Sequence, residues 1–442
     1  MWRIVKNIGS YIVFVFSLER FLFVVTILDF FILLLGLIKW RNELFQPSGL
    51  FLFIGVLFSF IYQLITFFSH FSFLRKIDPE KKLSSRLANN EGREDFSTIN
   101  VDPALSKTGS PFPYIINREI GALENKSIDD ILVDDSIRIK PVLSPGKTEK
   151  TKKYILQYKD ILLKFFNHKF YQVNGKHGKF TNDKKICLSG EIYLYDGEYL
   201  WKINEGCYYF GYLTNFIFSQ YIGGTHYSLD PPMNINNYEI TSLGDSDFSD
   251  HIGVSTLLVT SDGYVIVFRQ GEHAGYNAGK HVPSGSGSLD YADYKNKKDK
   301  DFRDIVIRGA VRELLEETSL GKKMDLINYD YNKDSRNITV QVPKKELSEE
   351  TFSGSIETKV LCFYRDMERG GKPEFCCISE INRPKGFLEG YIEPNKNELA
   401  KGIIEFVKFD DDKWNTTLLP KASLSLKMNY NAVKSYKGKK LL

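Results

Sequence analysis

Hydrophobic positions fall into two regimes along this chain. Up to about residue 70 they run almost without interruption; beyond it they alternate or recur at helical spacing. Residues 21–38 read FLFVVTILDFFILLLGLI and residues 49–68 read GLFLFIGVLFSFIYQLITFF. Each run is near the roughly 20 residues that cross a bilayer core of about 30 Å, and a helix satisfies its own backbone there. The pattern predicts a two-helix transmembrane hairpin over 19–39 and 49–69, preceded by an interfacial segment over 1–18. A cleaved signal peptide is excluded, since no small-x-small site follows the first run and a second run comes at once. A helical hairpin buried in a core is the alternative. Arg3, Lys6 and Arg20 before the first run, and Arg75, Lys76, Lys81, Lys82 and Arg86 after the second, outnumber Lys39 and Arg41 between them, so both termini are expected in the cytoplasm. Asp29 falls inside the first run. A carboxyl there costs roughly 2.5–3.5 kcal/mol, with Gln63 and Thr66 as hydrogen-bonding candidates. Two readings stand: a polar contact that drives helix assembly, or a single protonated Asp tolerated in an anchor.

After the second run, 78–110 is polar and without period, a linker, and 70–180 as a whole reads as linker and mixed segment. Tyr154, Ile155, Tyr158, Ile161, Leu162, Phe165 and Phe166 recur at helical spacing within 153–171. Strands are expected thereafter over 185–195 and the aromatic stretch 206–212. A hairpin over 251–270 turns at Ser261, Asp262 and Gly263.

The charge balance changes little. A net +4 over 442 residues does not describe a binder of nucleic acid polymers. Five cysteines without a C-x-x-C pair argue against a disulfide framework and suit a reducing compartment. Seven scattered histidines offer no zinc spacing.

The sharpest chemistry lies in a helix predicted from about Phe302. Ile307, Ala310, Val311, Leu314 and Leu315 mark its buried face, while Glu313, Glu316 and Glu317 stand at i, i+3 and i+4 and share the other. Like charges so placed repel, and a hard divalent cation such as Mg²⁺ would reverse the penalty; a solvated acidic face is the bland alternative. Arg312 is placed to orient Glu313. Upstream lies the small-residue loop Lys280, His281, Val282, Pro283, Ser284, Gly285, Ser286, Gly287, Ser288.

Hairpin, glycine loop and acidic helix together resemble the Nudix box, G-x5-E-x7-R-E-U-x-E-E-x-G-U with U aliphatic. Its core is intact as Arg312, Glu313, Leu314, Glu316 and Glu317, with Leu320 as the last U. Asp304 replaces the first Glu, Lys298 the first Gly and Ser319 the last Gly, and 289–301 is an insert. The resemblance implies a cytosolic α+β domain (an α/β/α sandwich) over 181–442. It also implies that Glu316 and Glu317 hold Mg²⁺, that Glu313 is a ligand or base, and that Glu374 or Glu380 supplies a further acid. Nudix hydrolases split nucleoside diphosphate derivatives with metal-activated water; the altered glycines turn the expectation towards a sensor.

The whole layout is similar to the transmembrane-Nudix effectors of bacterial CBASS anti-phage systems, the CD-NTase-associated class. That resemblance implies a homo-oligomeric effector, multi-pass in the bacterial inner membrane. It would bind a cyclic oligonucleotide made by a partner CD-NTase cyclase, and its spans would disrupt the lipid bilayer in abortive infection. A membrane-tethered Mg²⁺-dependent hydrolase and a non-enzymatic scaffold are the other readings. Candidate ligand contacts are His273, Tyr276, Lys280, His281, Ser284, Gly285, Ser286 and Gly287, with ordinary strand and loop roles as their alternative.

Overall fold

The computed structural model describes residues 9–11, 13–14, 20–39, 47–76, 114–117, 120–159, 162–163, 166, 182–217, 221–222, 225–226, 235–236, 239–240, 242–271, 277, 279–294, 301–318, 320, 337–341, 353–390, 392 and 402–440. These fall into two units. One comprises 1–92, 152–182 and 221–225; the other comprises 93–151, 183–220 and 226–442.

In the first unit, helices α1 (Arg20–Lys39) and α2 (Pro47–Lys76) pack against each other. Among the described residues no helix is long and apolar enough to cross a membrane. The predicted transmembrane hairpin over 19–39 and 49–69, and the inner-membrane placement that rested on it, are corrected accordingly. Asp29 is satisfied inside the pair: its Oδ2 accepts from Ser59 Oγ at 2.7 Å and from Gln63 Nε2 at 2.9 Å. Gln63 is therefore a partner, as expected, and Ser59 is one the sequence reading missed. Tyr11 and Phe14 stack on Phe166 at 5.5 and 5.8 Å between ring centres.

The second unit is built on a ten-stranded mixed sheet. Short strands β1 (Ile115–Asn117) and β2 (Ala122–Glu124) lead into helix α3 (Lys126–Val133). Asn125 caps that helix by accepting from Ile128 N at 3.2 Å. A smaller sheet follows, made of β3 (Ile139–Leu143), β4 (Lys184–Leu188), β5 (Tyr193–Tyr195) and β6 (Glu198–Cys207). Helix α4 (Lys147–Gln157) starts six residues before the position its apolar spacing suggested, because Lys147, Glu149 and Lys150 extend the first turn with polar contacts. The aromatic stretch 206–212 is not a strand. The chain leaves β6 at Cys207 and enters helix α5 (Tyr208–Leu213).

The expected hairpin is present as β7 (Gly253–Thr260) and β8 (Tyr264–Arg269), with Gly263 at φ +83° in the turn. Strands β9 (His281–Val282) and β10 (Gly285–Ser288) follow; β9 joins β8, and β10 pairs with the first half of β7. Helix α6 (Phe302–Glu317) comes next, then β11 (Asn337–Gln341), β12 (Ser353–Asp366), β13 (Lys372–Ile381), β14 (Ile403–Lys408) and helix α7 (Leu424–Lys440). Strands β7 and β13 run parallel in the middle, Gly253 opposite Glu374 through Thr260 opposite Ile381.

Alternation divides the core between the two faces of this sheet. Leu257, Val259, Val265, Val267 and Ile378 meet Leu426, Tyr430 and Val433 of α7, with Trp414 beside them. On the other face Phe363 and Phe375, paired across β12 and β13, meet Phe302 of α6 and Trp201 of β6 at 5.1–5.4 Å. The aromatic cluster joins the small sheet to the large one. Backbone bonds reinforce it: Ile186 N donates to Leu289 O, and Leu188 N donates to Asp250 O.

Asp250 is wholly buried, yet it accepts from Lys147 Nζ at 2.8 Å and Asn215 Nδ2 at 3.0 Å. Burial pushes its carboxyl up, but Lys147, Arg365 and the hydrogen bonds hold it below the ordinary 3.8. A carboxyl held low when folded contributes stability above its unfolded value, and that stability is lost as pH falls through the folded one. Lys147→Met strands this charge and is expected to cost about 3–5 kcal/mol at neutral pH in urea unfolding. Adding Asp250→Asn to the Lys147→Met variant is expected to recover part of the loss and to flatten the loss of stability below about pH 4.

Candidate functional site

Helix α6 carries the acidic residues, and its placement follows from its start. Asp301 caps it, accepting from Arg303 N at 2.9 Å. The buried Arg303 guanidinium then donates to the carbonyls of Leu132, Asp134 and Ile137. Eight hydrophobic residues, Phe302, Ile305, Val306, Ile307, Ala310, Val311, Leu314 and Leu315, are buried along it, so the carboxylates at its C-terminal end are held in register with β10.

The glycines of the small-residue loop serve this approach. A Cβ on Gly285 would lie 2.5 Å from Leu314 Cα, and one on Gly287 would lie 2.2 Å from the Glu313 carboxyl carbon. Ser286 N donates to Glu317 Oε2 at 3.1 Å. Strand β10 is thus a floor beneath the helix, one of its amides holding a carboxylate.

Arg312 orients Glu313, as the sequence suggested. Its Nη1 donates to Glu313 Oε1 at 2.8 Å and its Nη2 to Asp293 Oδ2 and the Ser288 carbonyl, both at 3.0 Å. Asp293 closes a capping box with Asp290 at the start of the insert. The described part of that insert is therefore clamped to α6, with Arg308 Nε also donating to Asp293 O at 2.7 Å. Burial pushes the Glu313 carboxyl up to about 7, with the Glu316 carboxylate adding to the rise and Arg312 and Lys185 opposing it.

Glu313 and Glu317 open onto a cavity of about 360 Å³ together with Ser286, Gly287 and Lys280. Glu316 is not on its wall, and its side chain is 53% exposed. Glu374 of β13 does line it, bonded to Lys372 Nζ and 3.3 Å from Arg369 Nη1. Glu380 stands opposite Glu357 in the sheet, away from the cavity. Two ligand candidates have structural roles instead. His281 Nε2 lies 3.1 Å from Glu405 Oε1, and Ser284 Oγ donates to Ile266 O while accepting from Leu258 N. His273 and Tyr276 lie outside the described residues.

The remaining wall comes from segments that carry no motif. Lys185 of β4, Tyr208 of α5, Phe216, Arg369 and Lys427 of α7 all line the cavity. Lys185 Nζ pairs with Asp290 and sits 5.8 Å over the Tyr208 ring; the Arg369 guanidinium sits 4.9 Å over Phe216. His251 is wholly buried beside Tyr208 and Phe216. Burial, then Lys372, Lys185 and Arg369, hold its imidazole well below the ordinary range, so it is neutral at pH 7 in a positive field. The aromatic signal at 206–212 was visible in the sequence; the cations were not.

A bound Mg²⁺ needs hard oxygens that converge with lone pairs to spare. Here Glu317 accepts a backbone amide, Glu313 is engaged by Arg312, Glu374 is engaged by two cations, and Glu316 is off the wall. Among the described residues no three His, Cys, Asp or Glu are grouped to hold a metal ion. Glu316 stands apart from the cavity that Glu313 and Glu317 line, so the three carboxylates of the expected Mg²⁺ set do not share one wall.

Fold and site together define an α+β unit: a mixed sheet between helices, with a polar cavity beside one helix. No family model and no curated protein matches the chain. A solved structure similar to part of it is the protein DR0079 from Deinococcus radiodurans, at 13% identity over 41% of this chain and 82% of that one. The TM-score is 0.23, too low for any inference.

The glycines give a direct check. Gly285→Ala drives a methyl into helix backbone and is expected to cost about 1–3 kcal/mol in chemical denaturation. Gly287→Ala meets only the end of the Glu313 side chain; stability is expected to change less, and a crystal structure should show that carboxylate displaced.

Proposed function

We propose that the sheet-bearing unit is a Nudix-like receptor for a nucleotide, and that its ligand is a cyclic oligonucleotide supplied by a partner CD-NTase cyclase in an anti-phage response. One observation carries this reading: Glu313 and Glu317 share a cavity of about 360 Å³ with Lys185, Lys280, Arg369, Lys427, Tyr208 and Phe216. Cavities of about 300–1,000 Å³ with a few placed polar groups are the usual sites for small molecules. Ammonium and guanidinium groups suit phosphates, and aromatic faces suit bases. Membrane disruption is no part of the proposal, since no described helix is long and apolar enough to cross a membrane.

The engaged carboxylates favour a receptor over a hydrolase. Binding transmits a signal only through a difference in affinity between two states of the protein, so a receptor needs neither metal nor turnover.

Isothermal titration of the full chain against cyclic di- and trinucleotides, with Mg²⁺ and then with EDTA, tests the proposal. The expected outcome is saturable binding of at least one cyclic nucleotide that EDTA leaves unchanged, with the ligand recovered intact by mass spectrometry. Lys185→Ala is expected to weaken it about tenfold, the loss of one charged hydrogen bond. Mg²⁺-dependent turnover abolished by Glu317→Gln would establish the hydrolase instead.

A further inference from the structure

We infer that the start of helix α7 is a subsite for a phosphate group, with Lys427, the Tyr364 hydroxyl and the first-turn amides of the helix as its donors. The inference rests on the nucleotide-receptor reading and locates where in the cavity that ligand's phosphate is held.

Lys427 is the first observation. Its side chain lines the cavity from the first turn of α7 and has no acidic partner among the described residues. The four carboxylate residues on the cavity wall are committed elsewhere: Glu313 to Arg312, Glu317 to Ser286 N, Glu374 to Lys372 and Arg369, and Asp366 to Arg369 at 3.4 Å. The first turn of α7 holds no acid either. A helix start carries partial positive charge, so a lysine there meets like charge. A bound anion relieves both at once.

The second observation is a buried donor. Tyr364 is 1% exposed and lines the same cavity, and its hydroxyl makes no hydrogen bond among the described residues. Leaving such a group unsatisfied costs about 1–3 kcal/mol. Burial, then the charge of Glu374, pushes this hydroxyl well above its ordinary range, so it keeps its proton and donates. Tyr364 shares a core cluster with Met428, and Leu424 packs against it. The tyrosine therefore sits against the first two turns of α7, on the side of Lys427.

The helix backbone adds to these two. Ser423 caps α7, its Oγ accepting from Leu426 N at 3.2 Å and its carbonyl accepting from Lys427 N at 3.1 Å. The amides of Leu424 and Ser425, both residues of the cavity wall, have no hydrogen bond among the described residues. Orphan amides at a helix start are ready ligands for a phosphate. The turn is also fixed before any ligand arrives. Ser423 N donates to His281 O at 2.8 Å, and Asn429 Nδ2 donates to Ser255 Oγ of β7 and to Ser425 O at 3.0 Å. A preordered site loses little entropy on binding.

Isothermal titration of the full chain with cyclic di-AMP, cyclic di-GMP and inorganic pyrophosphate tests the subsite. Lys427→Ala and Tyr364→Phe are each expected to weaken every probe that binds the wild type by about tenfold, the loss of one hydrogen bond to a charged group. Lys427→Arg is expected to restore binding. Lys434→Ala removes an exposed charge further along the same helix and is expected to change nothing. Tyr364→Phe deletes a single oxygen and keeps the packed ring, so the test does not depend on a variant that fails to fold. Affinity unchanged in Lys427→Ala or in Tyr364→Phe, or lowered as much by Lys434→Ala, overturns the subsite; the receptor reading stands if a dinucleotide still binds the wild type. Wild-type protein that binds pyrophosphate but neither dinucleotide overturns the receptor reading, while the variants still decide the subsite. Binding of no probe overturns both.

Discussion

A single buried charge, the carboxylate of Asp250, organises the functional half of this protein. It lies at φ +48° in the short link between the small sheet's docking segment and β7. An unpaired charge there would cost several kcal/mol; two separate pieces of chain meet the carboxylate and a third bonds the backbone beside it. Lys147 comes from the start of α4, Asn215 from just beyond α5, and Leu188 N bonds its carbonyl from β4. Two of these pieces also reach the cavity: β4 carries Lys185, Asn215 precedes Phe216, and Asn215 in turn holds the carbonyl of Arg369. Burial of this ion pair and the placing of two cavity walls therefore draw on the same contacts.

The second constraint is charge compensation around α6. Helical carboxylates at i, i+3 and i+4 repel, and a metal is one way to relieve that. This chain uses another. Arg312 reaches Asp293 and Glu313 and lies 3.7 Å from Glu316, while an amide of β10 takes Glu317. Glu374 is matched in the same way by Lys372 and Arg369. On the proposed reading, a site so balanced would take an anion by exchanging one partner for another, with little net change in buried charge.

How much of this the sequence showed depends on the range of the interaction. Helix α6 was legible because its evidence is local: period 3.6 apolar positions from Ile305 to Leu315 and an Asp at the cap. The β7–β8 hairpin was legible for the same reason, its turn being three adjacent residues. Helix α5 was misread because Tyr208–Leu213 is aromatic, and aromatic runs favour strands until tertiary packing decides otherwise. Packing decides here through Tyr209, Phe210 and Leu213, all buried. Near the N-terminus the apolar runs implied two paired helices, but Ser59 beside Asp29 emerges only from their packing. Lys185, Arg369 and Lys427 are scattered over more than 240 residues of sequence, and only strand register and the α7 contact bring them to one wall.

The glycine loop has a packing role that its pattern alone does not reveal. Small residues before an acidic helix suggest a cradle for phosphate, since bare backbone can approach an anion closely. Gly285 and Gly287 are small for a different partner, the helix itself, whose Leu314 backbone and Glu313 carboxylate occupy the space a side chain would need. Ser284 is tied into the hairpin and Ser286 N is committed to Glu317, while Ser286 and Gly287 also line the cavity. The acidic helix fixes where the cavity is, and the strands and helices delivered by Asp250 determine what it can hold.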